Sequence, residues 1–331
     1  MQRRQWMHYT GSLALASLGG SAKAQTSSVD KCVVAGWSKP ITEITNLLAD
    51  EAKDFFKARG IALTYVHGAG GGDALRNVLS GQADVAFTDP GSLFAALDKG
   101  EKLRVIYDIY PQNVFNVVSL ASSPIRQPSD LKGKRIGVYS LSSGTRQGLQ
   151  VLLHQAGLRE SDVTVVVTGL LNFAPLMQGQ VDATAATDTG LAVGRQRGLG
   201  AVNVIEVRQH LNMSSDVFVV REETYQQRKE VLRRFLQGYR DSMQWMIQSP
   251  QEAAQLATQV AIDGQNPAIN LEIIKLRNAS SVSTLTQQRG LGAIDVEALQ
   301  RGANVYKQLG LISRDLRIAE IVSQDLLPGR S

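Results

Sequence analysis

The sequence predicts an α/β protein of two βαβ lobes with mainly parallel sheets, joined by two crossing strands and completed by a helical C-terminal part. Three observations lead there. The chain has 331 residues, more than one ordinary domain, and its 43% hydrophobic and 20% charged content is that of a folded globular chain. Short apolar runs alternate with segments whose apolar residues recur at helical spacing, the rhythm of a parallel sheet. One motif occurs twice. Gly81-Gln82-Ala83-Asp84-Val85-Ala86-Phe87-Thr88-Asp89 is echoed by Gly179-Gln180-Val181-Asp182-Ala183-Thr184-Ala185-Ala186-Thr187-Asp188, with one residue inserted, and each copy ends a strand on Thr-Asp and begins a helix.

The first copy of the rhythm starts with a buried strand over 33–37. Pro40 can open a helix because the donor it lacks would be unpaired there anyway. Ile44, Leu47, Leu48, Ala52, Phe55 and Phe56 give helical spacing over 41–58, and Gly60 ends it. A second strand covers 61–66. The glycine loop Gly68-Ala69-Gly70-Gly71-Gly72-Asp73 follows, with Asp73 placed to cap a helix running to Leu79, and 83–87 is a third strand. The second copy has a strand over 134–139, the polar loop Ser140-Leu141-Ser142-Ser143-Gly144-Thr145, and a helix over 146–156 ended by Gly157. A strand over 163–167 and a short helix over 173–177 complete it. Residues 114–120 and 216–220 are the candidate crossing strands, about which two lobes can hinge. This puts lobe one at 25–121 and 217–331, and lobe two at 122–216. From Glu222 onward the chain reads as helices. The stripe Val231, Leu232, Phe235, Leu236, Tyr239, Met243 and Met246 is expected to be core, and Trp245 a helical residue outside any ligand site.

The first 24 residues read differently. Arg3 and Arg4, an apolar stretch from Thr10 to Leu18 and the small residues around Ala22-Lys23-Ala24 form the pattern of a secretory signal cleaved near Ala24. Arg3-Arg4 also suits twin-arginine export. Cleavage would remove Arg3, Arg4 and Lys23 and no acid, so the formal charge of +5 falls to about +2. No basic stripe of a nucleic-acid binder occurs. Cys32, the single cysteine, excludes an intramolecular disulfide, lies too far past the apolar segment for a lipid anchor, and is expected to be a buried strand residue.

The run from Leu79 to Asp89, the Leu131-Lys132-Gly133-Lys134-Arg135-Ile136-Gly137 opening of lobe two and the helical tail resemble the type II periplasmic binding proteins. Within them the chain is most similar to the nitrate, sulfonate, taurine and thiamine-precursor branch that serves ABC importers. The resemblance implies a monomeric periplasmic binding component that captures a small organic solute between its lobes and delivers it to an inner-membrane permease with its ATPase. It implies no cofactor. The solute is expected to be an anion such as a sulfonate or carboxylate. A neutral pyrimidine of the thiamine-precursor type is the alternative, ahead of a TRAP-type receptor or a thiamine-pyrimidine synthase-like enzyme.

In an open α/β sheet, ligands lie beyond the carboxyl ends of the strands. That rule selects Trp37 and Ser38 after the first strand, Gly70 and Gly71 after the second, and Thr88 and Asp89 after the third. In lobe two it selects Ser142, Ser143, Gly144 and Thr145, whose hydroxyls and free N–H groups at a helix start favour an anion. Arg146 could complete a bidentate clamp, Trp37 could stack on the ligand, and Asn113 and Asp188 join the candidate set. Asp89 and Asp188 are first of all expected to cap helices. Catalysis has little support. His67, His154 and His210 are scattered without metal-ligand spacing, the glycine loop lacks the Lys-Ser/Thr of a P-loop, and no nucleophile elbow occurs. A transcription-regulator effector lobe would need a helix-turn-helix where the signal stands.

Overall fold

In the computed structural model, residues 29–171 and 173–327 are described. The expected secretory segment at 1–24 lies outside them. Ten strands form two five-stranded sheets: β1 (Asp30–Gly36), β2 (Ile61–His67), β3 (Val85–Thr88), β4 (Leu103–Tyr110), β5 (Phe115–Leu120), β6 (Arg135–Val138), β7 (Thr164–Val167), β8 (Ala183–Thr187), β9 (Val202–Glu206) and β10 (Asp216–Arg221). The orders are β2-β1-β3-β10-β4 and β7-β6-β8-β5-β9. Both sheets are mixed. β1 pairs parallel with β2 and β3, and β6 with β7 and β8. One strand in each runs against the rest: β10 against β3 and β4, and β5 against β8 and β9.

The repeated motif has a structural cause. Gly81 and Gly179 both take positive φ, 78° and 70°, closing the helix that precedes the third strand of each lobe. Three residues later, Asp84 and Asp182 clamp the first strand of each lobe. Asp84 Oδ2 accepts from the Val33 N–H at 2.8 Å, and the Asp84 N–H donates to the Val33 carbonyl at 2.8 Å. Asp182 makes the same pair with Arg135, both at 2.8 Å. The chain therefore builds one lobe twice.

Three sequence expectations shift. The helix over 41–58 is broken into a 3-10 turn at Thr42–Ile44 and short helices at Thr45–Leu48 and Asp50–Lys53, and Asp54, in the left-handed region at φ 54°, ends the last of them. That break turns Phe56 inward to stack on Phe235 at 5.7 Å. The glycine-loop helix spans Gly71–Leu79 with Gly70 as its N-cap; Asp73 sits inside the first turn and accepts from the Ala69 N–H at 2.9 Å. Finally, Phe115–Leu120 belongs entirely to the second sheet, so the chain leaves the first sheet within 111–114 and not near 121. The apolar run of β5 shows no internal break, and only its pairing partners decide which lobe holds it.

The C-terminal helices return to lobe one. Leu232, Phe235, Leu236, Tyr239, Met243 and Met246 on Lys229–Gln248 are buried, as their stripe predicted, while Val231 is only partly buried. They pack on β10 and β4 through edge-to-face rings: Tyr239 lies 4.7 Å from Phe218 and 5.2 Å from Tyr107. Trp245 lies off this stripe and donates Nε1–H to Glu252 at 2.7 Å. Cys32 is fully buried in the same core. Burial pushes its thiol up to about 12, Asp84 adding to the effect.

Candidate functional site

A cavity of about 400 Å³ opens between the lobes. Lobe one lines it with Trp37, Ile41 and Glu43 from the segment after β1, and with Ile262, Asp263, Gln265 and Ile273 from the C-terminal helices. Lobe two contributes Tyr139 after β6, Leu170, Phe173 and Met177 after β7, and Thr187, Thr189, Val193 and Arg197 at and beyond the end of β8. These are the carboxyl ends of the strands, as expected for this sheet type. The wall is largely apolar and aromatic.

Trp37 is the wall's central ring. It meets Tyr139 of the other lobe edge-on at 6.1 Å and 86°, and Phe87 behind it at 6.4 Å and 79°. Its Nε1 is buried without a hydrogen-bond partner, so these ring contacts and not a hydrogen bond hold the indole. Tyr139 is placed by its backbone: its N–H donates to Thr145 Oγ1 at 3.3 Å and its carbonyl accepts from the Gly169 N–H at 3.1 Å.

Glu43 was not among the residues selected from the sequence. Its 3-10 turn is anchored by Asp263, whose Oδ1 accepts from the Thr42 N–H at 2.7 Å and from Thr42 Oγ1 at 2.9 Å. The Tyr110 hydroxyl donates to Glu43 Oε1 at 2.6 Å, and Thr189 Oγ1 donates from lobe two to Oε2 at 2.6 Å. Behind Tyr110 stands Arg277, fully buried, its guanidinium 4.3 Å from the Tyr110 ring centroid and donating to the Tyr239 hydroxyl at 2.9 Å. The cation stabilises this region of buried acids without touching Glu43. Among the sequence signals, only a glutamate between the apolar Ile41 and Ile44 hinted at an inward carboxylate.

The residues selected from the sequence divide. Trp37 and Thr145 line the cavity. Ser38 lies behind it, its Oγ donating to the Lys39 carbonyl at 2.8 Å while its own carbonyl accepts from the Tyr65 hydroxyl at 2.7 Å. Gly70, Gly71, Thr88, Asp89, Ser142, Ser143 and Gly144 come together in a seam where the two lobes touch. The Gly72 N–H donates to the Ser142 carbonyl at 3.0 Å, Ser142 Oγ donates to the Ala69 carbonyl at 2.9 Å, and Ser140 Oγ also donates to Ala69. Thr88 Oγ1 donates to the Gly71 carbonyl at 2.9 Å. A Cβ on Gly70 would stand 2.4 Å from the Ser142 oxygen, and one on Gly144 would stand 2.4 Å from the Phe115 ring and 3.1 Å from Asp89 Cβ. Glycine is required at both by this close approach.

The helix start at Gly144–Gln155 is therefore covered by lobe one. Ser143 caps it, accepting from the Arg146 N–H at 3.4 Å, and its Oγ lies 2.8 Å from Thr145 Oγ1. Arg146 is not poised to clamp an anion. Its Nε and Nη2 donate to the two Glu160 carboxylate oxygens at 3.0 and 2.8 Å, and Nη1 to the Leu141 carbonyl at 2.8 Å. The bidentate partner that the sequence left open lies within the same lobe.

Asp89 does cap its helix, accepting from the Ser92 N–H and hydroxyl, both at 2.8 Å, and burial pushes its carboxyl up to about 6. Asp188 does not. Thr187 is the cap, accepting from the Gly190 N–H at 3.0 Å, while Asp188 accepts from Asn116 Nδ2 at 2.7 Å. Asn113 is a crossover tie: its N–H donates to Asn212 Oδ1 at 3.1 Å, its Nδ2 to the Leu211 carbonyl at 3.0 Å, and its Oδ1 accepts from the Phe115 N–H at 3.0 Å. It joins the two crossing segments and does not line the inter-lobe cavity. Among the described residues, no cluster of three or more His, Cys, Asp or Glu could hold a metal.

Comparison with known proteins places this geometry. The family model described as NMT1/THI5 like matches residues 41–253. The riboflavin-binding protein RibY of Chloroflexus aurantiacus is 24% identical over 285 residues, covering 85% of this chain and 81% of that protein. The alkanesulfonate-binding protein SsuA of Xanthomonas axonopodis pv. citri, bound to MOPS, superposes with a TM-score of 0.70 at 18% identity, over 90% of this chain and 99% of that one. The periplasmic aliphatic sulphonate binding protein SsuA of Escherichia coli superposes with a TM-score of 0.64 at 16% identity, over 91% and 95%.

Proposed function

Because the chain belongs to the NMT1/THI5-like family and has the periplasmic binding protein fold of ABC importer substrate-binding proteins, we propose that it captures a flat, neutral heterocyclic solute between its lobes in the periplasm and delivers it to an inner-membrane permease. The observation that carries the ligand class is the cavity wall. Trp37 and Tyr139 meet edge to face on it, Glu43 supplies an acceptor, and Arg197 stands exposed at its rim. An aromatic wall suits a ring system, which gains burial and stacking together. A carboxylate on the inner wall opposes a sulfonate or carboxylate ligand, since like charges in a site of low dielectric repel strongly. The tying of Arg146 to Glu160 withdraws the cation that the sequence offered for an anionic ligand and leaves Arg197, at the rim, as the cavity's cation. The riboflavin-binding relative supports the same class.

Thermal-shift measurement with riboflavin, 4-amino-2-methylpyrimidine and MOPS tests this, because a ligand that binds only the folded state raises its stability. A ring compound is expected to raise the melting temperature and MOPS to leave it unchanged; the reverse pattern overturns the ring reading. Trp37→Ala is expected to weaken ring binding about 10- to 100-fold through loss of stacking and burial. Calorimetric titration checks it, and an affinity equal to that of the wild type counts against the Trp37 wall.

A further inference from the structure

We infer that Glu43 determines specificity by accepting a ring N–H or an exocyclic N–H of the ligand, so the solute class is a heterocycle with a hydrogen-bond donor on its edge; this rests on the ring-binding reading of the cavity. The carboxylate is 6% exposed and lines the cavity. Each of its oxygens already accepts one hydroxyl, from Tyr110 and from Thr189. An ionised carboxyl offers about four lone-pair sites, so each oxygen retains capacity for one more donor. The fixed hydroxyls set the carboxylate plane. Asp263 on the same wall holds the Thr42 turn through Oδ1 and is more exposed, so Glu43 is the buried carboxylate of the inner wall. Tyr110 itself is held beneath the Arg277 guanidinium, so the acceptor is rigid and compensated in charge without being neutralised by direct pairing.

Glu43 also bridges the lobes. Tyr110 belongs to the end of β4 and Thr189 to the helix Asp188–Gln196. A donor that docks on Glu43 therefore sits where the two lobes meet, and recognition of the ring edge is coupled to closure.

Titration calorimetry of the whole mature chain with two matched pairs tests the assignment: riboflavin against 3-methylriboflavin, and 4-amino-2-methylpyrimidine against its 4-dimethylamino analogue. Replacing N–H by N-methyl removes the donor and adds bulk only at that edge. The wild type is expected to bind the N–H member of a pair at least about 10-fold more tightly, the effect of one hydrogen bond to a charged acceptor. Glu43→Gln is expected to shrink that preference to within about 3-fold, because one carboxylate oxygen becomes an amide that cannot accept. Equal affinity for both members in the wild type, or an undiminished preference in Glu43→Gln, overturns the Glu43 assignment while leaving ring binding standing. Binding of MOPS and of no ring overturns both. If Glu43→Gln fails to fold, the wild-type pairs alone decide.

Discussion

Buried carboxyls set the acid–base behaviour of this fold at the residue scale. Asp108 is buried, accepts from Ser214 Oγ at 2.6 Å through Oδ2, and leaves Oδ1 without a partner. Burial pushes its carboxyl up to about 8, the Ser214 hydroxyl opposing and Asp295 adding to the shift, while Asp89 is pushed up to about 6. Both folded-state values lie above the ordinary 3.8. Over the window from 3.8 to about 8 the native state thus holds protons that the unfolded chain has released, and stability falls as pH rises through it. Scanning calorimetry is expected to show a melting temperature that declines from pH 5 to about pH 8, with a flatter slope in Asp108→Asn. A rising profile, or an unaltered slope in the variant, contradicts this. Cys32 gives a simpler expectation. With its thiol buried and pushed up to about 12, it should react with a disulfide reagent only after denaturant is added.

Two elements carry testable consequences for the site. The Gly144–Gln155 helix uses Arg146 to bind Glu160, a pair whose side chains are 25% and 31% exposed. A pair this open to water contributes little, so Arg146→Ala is expected to cost at most about 1 kcal/mol and to leave ring affinity within about two-fold. A tenfold loss of affinity would restore Arg146 to the site. The glycine loop before Gly71–Leu79 behaves in the opposite way. Gly70 has φ 118° and presses on Ser142 of the other lobe, so Gly70→Ala should strain the turn and hold the lobes apart, weakening binding. Gly81 also has positive φ, 78°, but a Cβ there meets nothing within 4 Å. Gly81→Ala should therefore lower the melting temperature and spare affinity. If both variants bind alike, the seam has no part in capture.

For the whole molecule, the seam at Ala69–Gly72 with Ser140–Ser142, together with the Glu43–Thr189 bond, describes lobes in contact. Asn113 and Asn212 tie the two crossing segments, which leaves 111–114 and 207–215 as the backbone that must flex. Small-angle scattering is expected to give a smaller radius of gyration with saturating riboflavin or 4-amino-2-methylpyrimidine than without it. Gly70→Ala should reduce that difference, and an unchanged profile on ligand addition counts against closure.

Periodicity and repetition made much of the architecture legible. Alternating apolar runs marked the strands, the Gly81 and Gly179 motifs marked two equivalent lobes, and the stripe from Val231 to Met246 marked the helix that closes lobe one, because each is a local pattern read along one element. The broken helix at 41–58 was less legible, since Asp54 ends it through its backbone conformation and not through composition. The lobe that owns Phe115–Leu120 was not legible either, because strand pairing is made with partners far along the chain. The site shows the same division. Strand-end reasoning found Trp37 and Thr145, which reach the cavity from loops adjoining their own strands. It also selected Ser142 to Gly144 and Arg146, which an orientation across the seam and a Glu160 fourteen residues away turn to other uses. Glu43, Phe173 and Ile262 come from three distant segments, and they meet only when the lobes and the C-terminal helices pack. The sequence by itself determined the elements and their duplication, which depend on local free energies. The tertiary structure decided which side chains share a cavity and what charge it presents, because both depend on how lobes distant in sequence are brought face to face.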